Sequence, residues 1–221
     1  MGHLGAYDKD EAALRYVELV GNVLAAKVGR PEITFRFAIL SSPIPNAYAT
    51  PGGFVFVTKG LLRTISNEAE LAGVLGHEIA HVNERHMYKD LRPQREVGAA
   101  ESMVRMLGMG GSTLGGSMSK LVDAGMKALL KDGLGKEKEK SADEIGSLYL
   151  QAAGYPADGL LSYLKRNQKL AKAESAEHAS FPERVRQLTA FFATNGVRPQ
   201  RNLTEVILSR RFQRSLAGVK R

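Results

Sequence analysis

The sequence predicts an α+β fold, mainly helical, with a small β-sheet placed just ahead of one buried helix. Three observations predict it. Short runs rich in β-branched and aromatic residues are confined to residues 33–58. An apolar run with helical period follows at Leu71, Val74, Leu75, Ile79 and Val82. Beyond Lys136 the chain reads as helix after helix. At 221 residues there is room for one well-cored domain, spanning 1–221. Hydrophobic residues at 43% and charged ones at 24% exclude wholesale disorder. No run of eighteen apolar residues occurs, so no transmembrane segment is expected.

Asp8 and Glu11 form a capping box ahead of Leu14, Val17, Gly21, Leu24 and Val28, an amphipathic first helix ending near Gly29-Arg30-Pro31. Ile33 to Leu40 reads as a strand. Asn46 to Thr50 and Phe54 to Thr58 read as short strands flanking Pro51-Gly52-Gly53. Leu61-Leu62-Arg63 leads into the next helix, which Asn67 and Glu70 cap and which runs to about Asp90. Residues 98–131, interrupted by Gly108-Met109-Gly110-Gly111 and Gly115-Gly116, read either as a surface loop or as a mobile lid. Helices follow at Lys136 to Ala153, with Gly154 as the C′ residue, at Asp158 to Glu174 and at Pro182 to Ala193.

The buried helix carries His77-Glu78-Ile79-Ala80-His81. Residues four apart stand one turn above each other, so both imidazoles can aim at one point. Two histidines on a mostly buried helix need partners, and a metal is the usual one. Glu78 is placed to work on a water rather than to bind the metal. This is the core of a zinc peptidase, with one Zn2+ per chain. A catalytic zinc takes three protein ligands, so one more is needed. The pattern with a third histidine six residues on fails, because Met87 fills that slot. His86 is one residue off and reads as a supporting or surface residue. A later glutamate is the alternative. Glu139 lies in a Lys/Glu run that by itself reads as a solvated face, but Glu139, Ala142, Asp143 and Gly146 form one helical stripe. That stripe could face the motif helix, with Glu139 as ligand and Asp143 holding the free nitrogen of a ligand histidine.

With these residues in view, the chain resembles the soluble, gluzincin-type branch of the zinc metallopeptidases that include HtpX, the CAAX prenyl protease and BepA. Gly76 to Val82 followed by Glu139-x-x-Ala142-Asp143 carries the resemblance, as do Asn46 to Leu62 and His178-Ala179-Ser180-Phe181-Pro182-Glu183-Arg184, and it covers about 33–188, the implied core of the domain. Ala179 stands where the family has proline. The resemblance implies a zincin-like metallopeptidase domain with metal ligands His77, His81 and Glu139, and Glu78 as base. It also implies that His178 and Arg184 reach the catalytic cleft. There His178 would stabilise the oxyanion or occupy the open metal position at rest. Phe54, Val55, Phe56 and Val57 are expected to form an exposed edge strand that pairs with extended substrate.

The implied substrates are unfolded or misassembled polypeptides, handled in envelope protein quality control. A periplasmic or membrane-associated extracytoplasmic site fits the soluble branch, although no signal-peptide pattern opens the sequence and peripheral membrane association stays open. With no cysteine, disulfides and thiolate metal sites are excluded. The net charge of +8 gathers late, at Arg198, Arg201, Arg210, Arg211, Arg214, Lys220 and Arg221, and 196–221 reads as a solvated basic tail. No nucleic-acid motif accompanies it. The rival reading is a latent, chaperone-like polypeptide binder with a closed zinc site.

Overall fold

The computed structural model describes residues 8, 10–86, 135–168, 180–197 and 210–219. Residues 98–131, expected as a surface loop or a mobile lid, lie outside them. The elements in order are α1 (Glu11–Ala25), β1 (Arg36–Leu40), β2 (Ala47–Ala49), β3 (Phe54–Thr58), α2 (Lys59–Thr64), α3 (Glu68–Asn83), α4 (Lys136–Ala152), α5 (Gly159–Arg166) and α6 (Phe181–Thr194). A short helical segment follows at 210–215. The result is the expected α+β arrangement, mostly helical with one small sheet. Among the described residues no helix is long and apolar enough to cross a membrane.

α1 starts later than Asp8 and Glu11 suggest. Asp10 is the N-cap, its side chain accepting from the Ala13 N–H, while Asp8 turns to the Lys59 ammonium at 2.8 Å. β2 and β3 make the expected hairpin, closed by Gly53 at φ +83°. A Cβ there would stand 2.8 Å from Ile33 Cγ2, so the turn has both a conformational and a steric reason for glycine. β1 pairs with β3 in parallel, giving the order β1-β3-β2. The expectation that Phe54–Val57 form an edge strand is therefore corrected. β3 is the middle strand, its backbone paired on both sides, because the chain returns from α1 into β1 and fills the outer position. Among the described strands the edge beside α3 is β2.

Thr58 ends the sheet and starts α2, its hydroxyl accepting from Leu61 N–H. α2 is a separate helix, and Ile65 returns to extended backbone before Asn67 caps α3. The Asn67 side chain accepts from the Glu70 N–H at 3.0 Å, as a capping box requires. Glu70 reaches past the cap to the Ser66 N–H instead of to Asn67. Every residue of α3 from Glu68 to Val82 is buried. Small residues make that possible, because Ala69, Ala72, Gly73, Gly76 and Ala80 let neighbouring helices approach closely. Full burial of Leu71, Leu75 and Ile79 contributes about 1.5–3 kcal/mol each.

The expected solvated tail is corrected for 210–219. Phe212, Leu216 and Val219 are fully buried, and Arg63 Nε donates to the Val219 carbonyl. Charge counting missed this because Phe212, Leu216 and Val219 form an apolar stripe between the arginines, and a stripe of that kind packs whatever the charge of the opposite face.

Candidate metal centre

Helices α3 and α4 cross at glycine against glycine. A Cβ on Gly146 would stand 2.9 Å from the Gly76 carbonyl carbon and 2.9 Å from the His77 nitrogen. Only bare backbone permits this approach. From that crossing the chemistry follows by helical period. His77 lies one residue past Gly76, facing Asp143, which is one turn before Gly146. Another turn along each helix brings His81 to Glu139. The Glu139, Ala142, Asp143, Gly146 stripe is buried throughout and faces α3.

Three side chains converge. His77, His81 and Glu139 each offer a ligand atom within 4.8 Å of the others. His77 Nε2 and His81 Nε2 are 2.9 Å apart, His77 Nε2 is 3.5 Å from Glu139 Oε2, and His81 Nε2 is 3.3 Å from Glu139 Oε1. Ligands about 2.0–2.1 Å from a tetrahedrally held zinc stand about 3.3–3.4 Å from one another, so the set fits such an ion with little adjustment. Two imidazoles and a carboxylate also form a donor set used by catalytic zinc. All three residues are buried.

Around the three lies a shell of hydrogen bonds. Asp143 Oδ1 sits 2.8 Å from His77 Nδ1, the nitrogen turned away from Glu139. Arg184, from the first turn of α6, grips the same carboxylate with both arms, Nη2 to Oδ1 at 2.6 Å and Nε to Oδ2 at 3.0 Å. Its Nη1 lies 3.8 Å from Glu139 Oε2. Burial pushes the His77 pKa down to about 3, and the charges of Arg184 and His81 push the same way. At neutral pH His77 is therefore the uncharged imidazole that a metal requires. Burial alone would raise Asp143, but Arg184 and His77 more than offset it and hold the carboxyl below its usual range. For Arg184, burial works against the charge, and Asp143, Glu139 and Glu78 outweigh it and raise the pKa.

The sequence-derived residues fall into place unevenly. His77, His81, Glu139, Asp143 and Arg184 come together, and Glu78 is buried on the same helix and acts electrostatically on Arg184. Arg184 is only 4% exposed and spends both guanidinium arms on Asp143. It is thus built into the wall of the centre rather than free in the cleft. His178 lies outside the described residues. Phe54 to Val57 belong to the middle strand and do not join this group. His86 is buried at 3% exposure, with Nδ1 3.0 Å from His81 Nδ1. Helical geometry could not have found this contact, because α3 stops at Asn83 and the chain bends back.

The chain is similar to proteases of bacteria and mitochondria. It is 31% identical over 168 residues to the β-barrel assembly-enhancing protease of Yersinia pestis, covering 73% of this chain and 33% of that protein. With the β-barrel assembly-enhancing protease of Escherichia coli K12 the identity is 28% over 166 residues, covering 71% and 33%. With the mitochondrial metalloendopeptidase OMA1 of Schizosaccharomyces pombe it is 28% over 183 residues, covering 78% and 51%. The match thus spans about a third of the two bacterial proteins' length and about half of the yeast protein's. Residues 11–192, most of the chain and all of the centre just described, match peptidase family M48, and the chain belongs to that family.

Proposed function

We propose that this chain is a zinc-dependent endopeptidase that hydrolyses unfolded or misassembled polypeptides in the cell envelope. The observation that carries the reading is the convergence of His77, His81 and Glu139 on one buried point, with Glu78 beside them on α3. Membership of a metallopeptidase family supports the reaction class. The envelope and the misassembled substrates rest on the bacterial relatives, which are named for enhancing β-barrel assembly. A periplasmic location belongs to the same reading.

His77, His81 and Glu139 would hold the zinc, which when bound supplies Lewis acidity to polarise the scissile carbonyl and acidify water. The rest is done by side chains of this chain. Asp143 accepts the His77 Nδ1 proton, which leaves the Nε2 lone pair facing the centre. Arg184 fixes Asp143 in a two-armed grip and lends positive charge to the side of the centre where Glu139 lies. The Glu78 carboxylate takes the proton from the attacking water and passes it to the departing amine. An extended substrate that pairs with the sheet would add at β2, the edge beside α3. His178 remains a residue proposed for the oxyanion or the open metal position, on the family resemblance alone.

The test is zinc content of the purified chain together with cleavage of an unfolded protein by wild type and Glu78→Gln. One zinc in each, with hydrolysis reduced about 10²–10⁴-fold in the variant, supports the assignment. Equal turnover by both removes Glu78 as the base. Zinc without hydrolysis in either favours the chaperone-like alternative.

A further inference from the structure

His86 lies three residues beyond the end of α3, yet its ring packs against that helix. The turn that returns it is unusual. Arg85 adopts φ 54°, a left-handed backbone that side chains other than glycine and asparagine seldom take. The end of α3 is fastened from two sides as well. Arg30 Nη1 donates to the carbonyls of Val82 and Asn83 at 3.4 and 3.2 Å, and Asn83 Nδ2 donates to Tyr149 Oη at 2.8 Å. The ring so delivered meets His81 edge-on, with an interplanar angle of 73° and the two Nδ1 atoms 3.0 Å apart. The two nitrogens are within hydrogen-bond distance, and the edge-on rings are not stacked.

A hydrogen bond between two imidazole nitrogens needs one donor and one acceptor. His81 Nε2 points at His77 and Glu139. If Nε2 is to carry a lone pair, the proton of neutral His81 must sit on Nδ1, and His86 Nδ1 must accept it. We propose that His86 is a positioning residue for His81: its Nδ1 lone pair accepts the His81 Nδ1–H and holds the ring with Nε2 turned into the metal centre. The two histidines of the motif are then supported differently, His77 by the carboxylate of Asp143 and His81 by a neutral imidazole. This inference rests on the metal reading above and deepens it.

The experiment measures zinc affinity by chelator competition, and the absorption of the cobalt-loaded chain, for wild type, His86→Asn, His86→Gln and His86→Leu. Asparagine carries an acceptor close to the position of Nδ1, whereas glutamine carries it further out and leucine has none. His86→Asn is expected within about threefold of wild type, while His86→Gln and His86→Leu lose about 10–100-fold in affinity and show an altered cobalt spectrum. Should His86→Leu fail to fold, the asparagine and glutamine pair decides by itself. Equal zinc affinity and cobalt spectra across the folded variants overturn the proposal while leaving the metal centre standing. A wild-type chain that takes up no zinc overturns the metal reading, and this proposal with it.

Discussion

Both ends of helix α3 bury charge, and they use it in opposite ways. At the N-terminal end every carboxylate oxygen meets donors. Glu68, fully buried, receives the hydroxyls of Tyr16 and Tyr155 at 2.5 and 2.8 Å and both arms of Arg211. Glu70 receives the Ser66 N–H and both arms of Arg166. Burial, followed by the hydrogen bond to Glu68 and then its charge, pushes the Tyr16 and Tyr155 hydroxyls upward, so they stay protonated donors. At the C-terminal half, by contrast, ligand atoms of His77, His81 and Glu139 face one another, while Arg184 donates to the surrounding Asp143 and His81 Nδ1 meets His86. Acceptors matched by donors close a structure. Acceptors gathered around one point ask for a cation. Buried charge is common to both ends, so the arrangement of donors and acceptors is what separates a structural cluster from a functional one.

Removing a guanidinium from each end should break the likeness between them, and the larger effect belongs to the metal end. Arg184→Met leaves Asp143 buried without its charge partner, and such losses cost about 3–5 kcal/mol. Urea unfolding should show that loss, and zinc competition should show weaker binding as Asp143 releases His77. A variant of unchanged stability and affinity would mean that Arg184 supports neither.

Acid provides the next contrast. The His77 pKa is held at about 3 in the folded chain against an ordinary 6.5, so the unfolded state binds the extra proton between these values. Stability is therefore fully present above pH 6.5 and falls as pH drops toward 3, by about 1.4 kcal/mol per unit at most. The depressed Asp143 adds to the loss at the low end of that window. Unfolding of the metal-free chain at pH 7, 6 and 5 measures the slope, which His77→Gln should flatten. An equal slope in both would assign the acid sensitivity elsewhere.

Arg211→Met should have the smallest effect. The Arg211 side chain is 44% exposed, and the two tyrosines remain on Glu68 after its removal. A stability loss of about 1 kcal/mol, with zinc affinity unchanged, is expected for a partly solvated pair. A drop in zinc affinity would show that the two ends are coupled through α3.

Much of the fold was legible where the signal was local. Asn67 caps α3 and Gly154 follows α4 at φ +81°, as the sequence suggested, because caps are set by a few neighbouring residues. β3 spans Phe54–Thr58 as expected, yet it lies in the middle of the sheet and not at the expected edge. Its pattern of burial fits a middle strand as well as an edge, and only pairing with β1 decides between them. At the site, His77 and His81 were legible from spacing. Glu139 and Asp143 needed the additional fact that their stripe faces α3, and Arg184 could be placed near the site but not in its grip on Asp143.

The sequence by itself determined the helix that carries both histidines, the stripe that carries Glu139 and Asp143, and the glycines that allow the two helices to touch. These are consequences of a 3.6-residue period and of side-chain size, which neighbouring residues express without help from the rest of the chain. Tertiary structure decided the rest: β3 in the middle of the sheet, His86 turned back onto His81, Arg184 on Asp143, and 210–219 packed into the core with Arg211 on Glu68. These pairings join residues that share no period and are mostly far apart in the chain. They form only when a common core brings the elements together, and burial then leaves each charge no better partner than the one it meets.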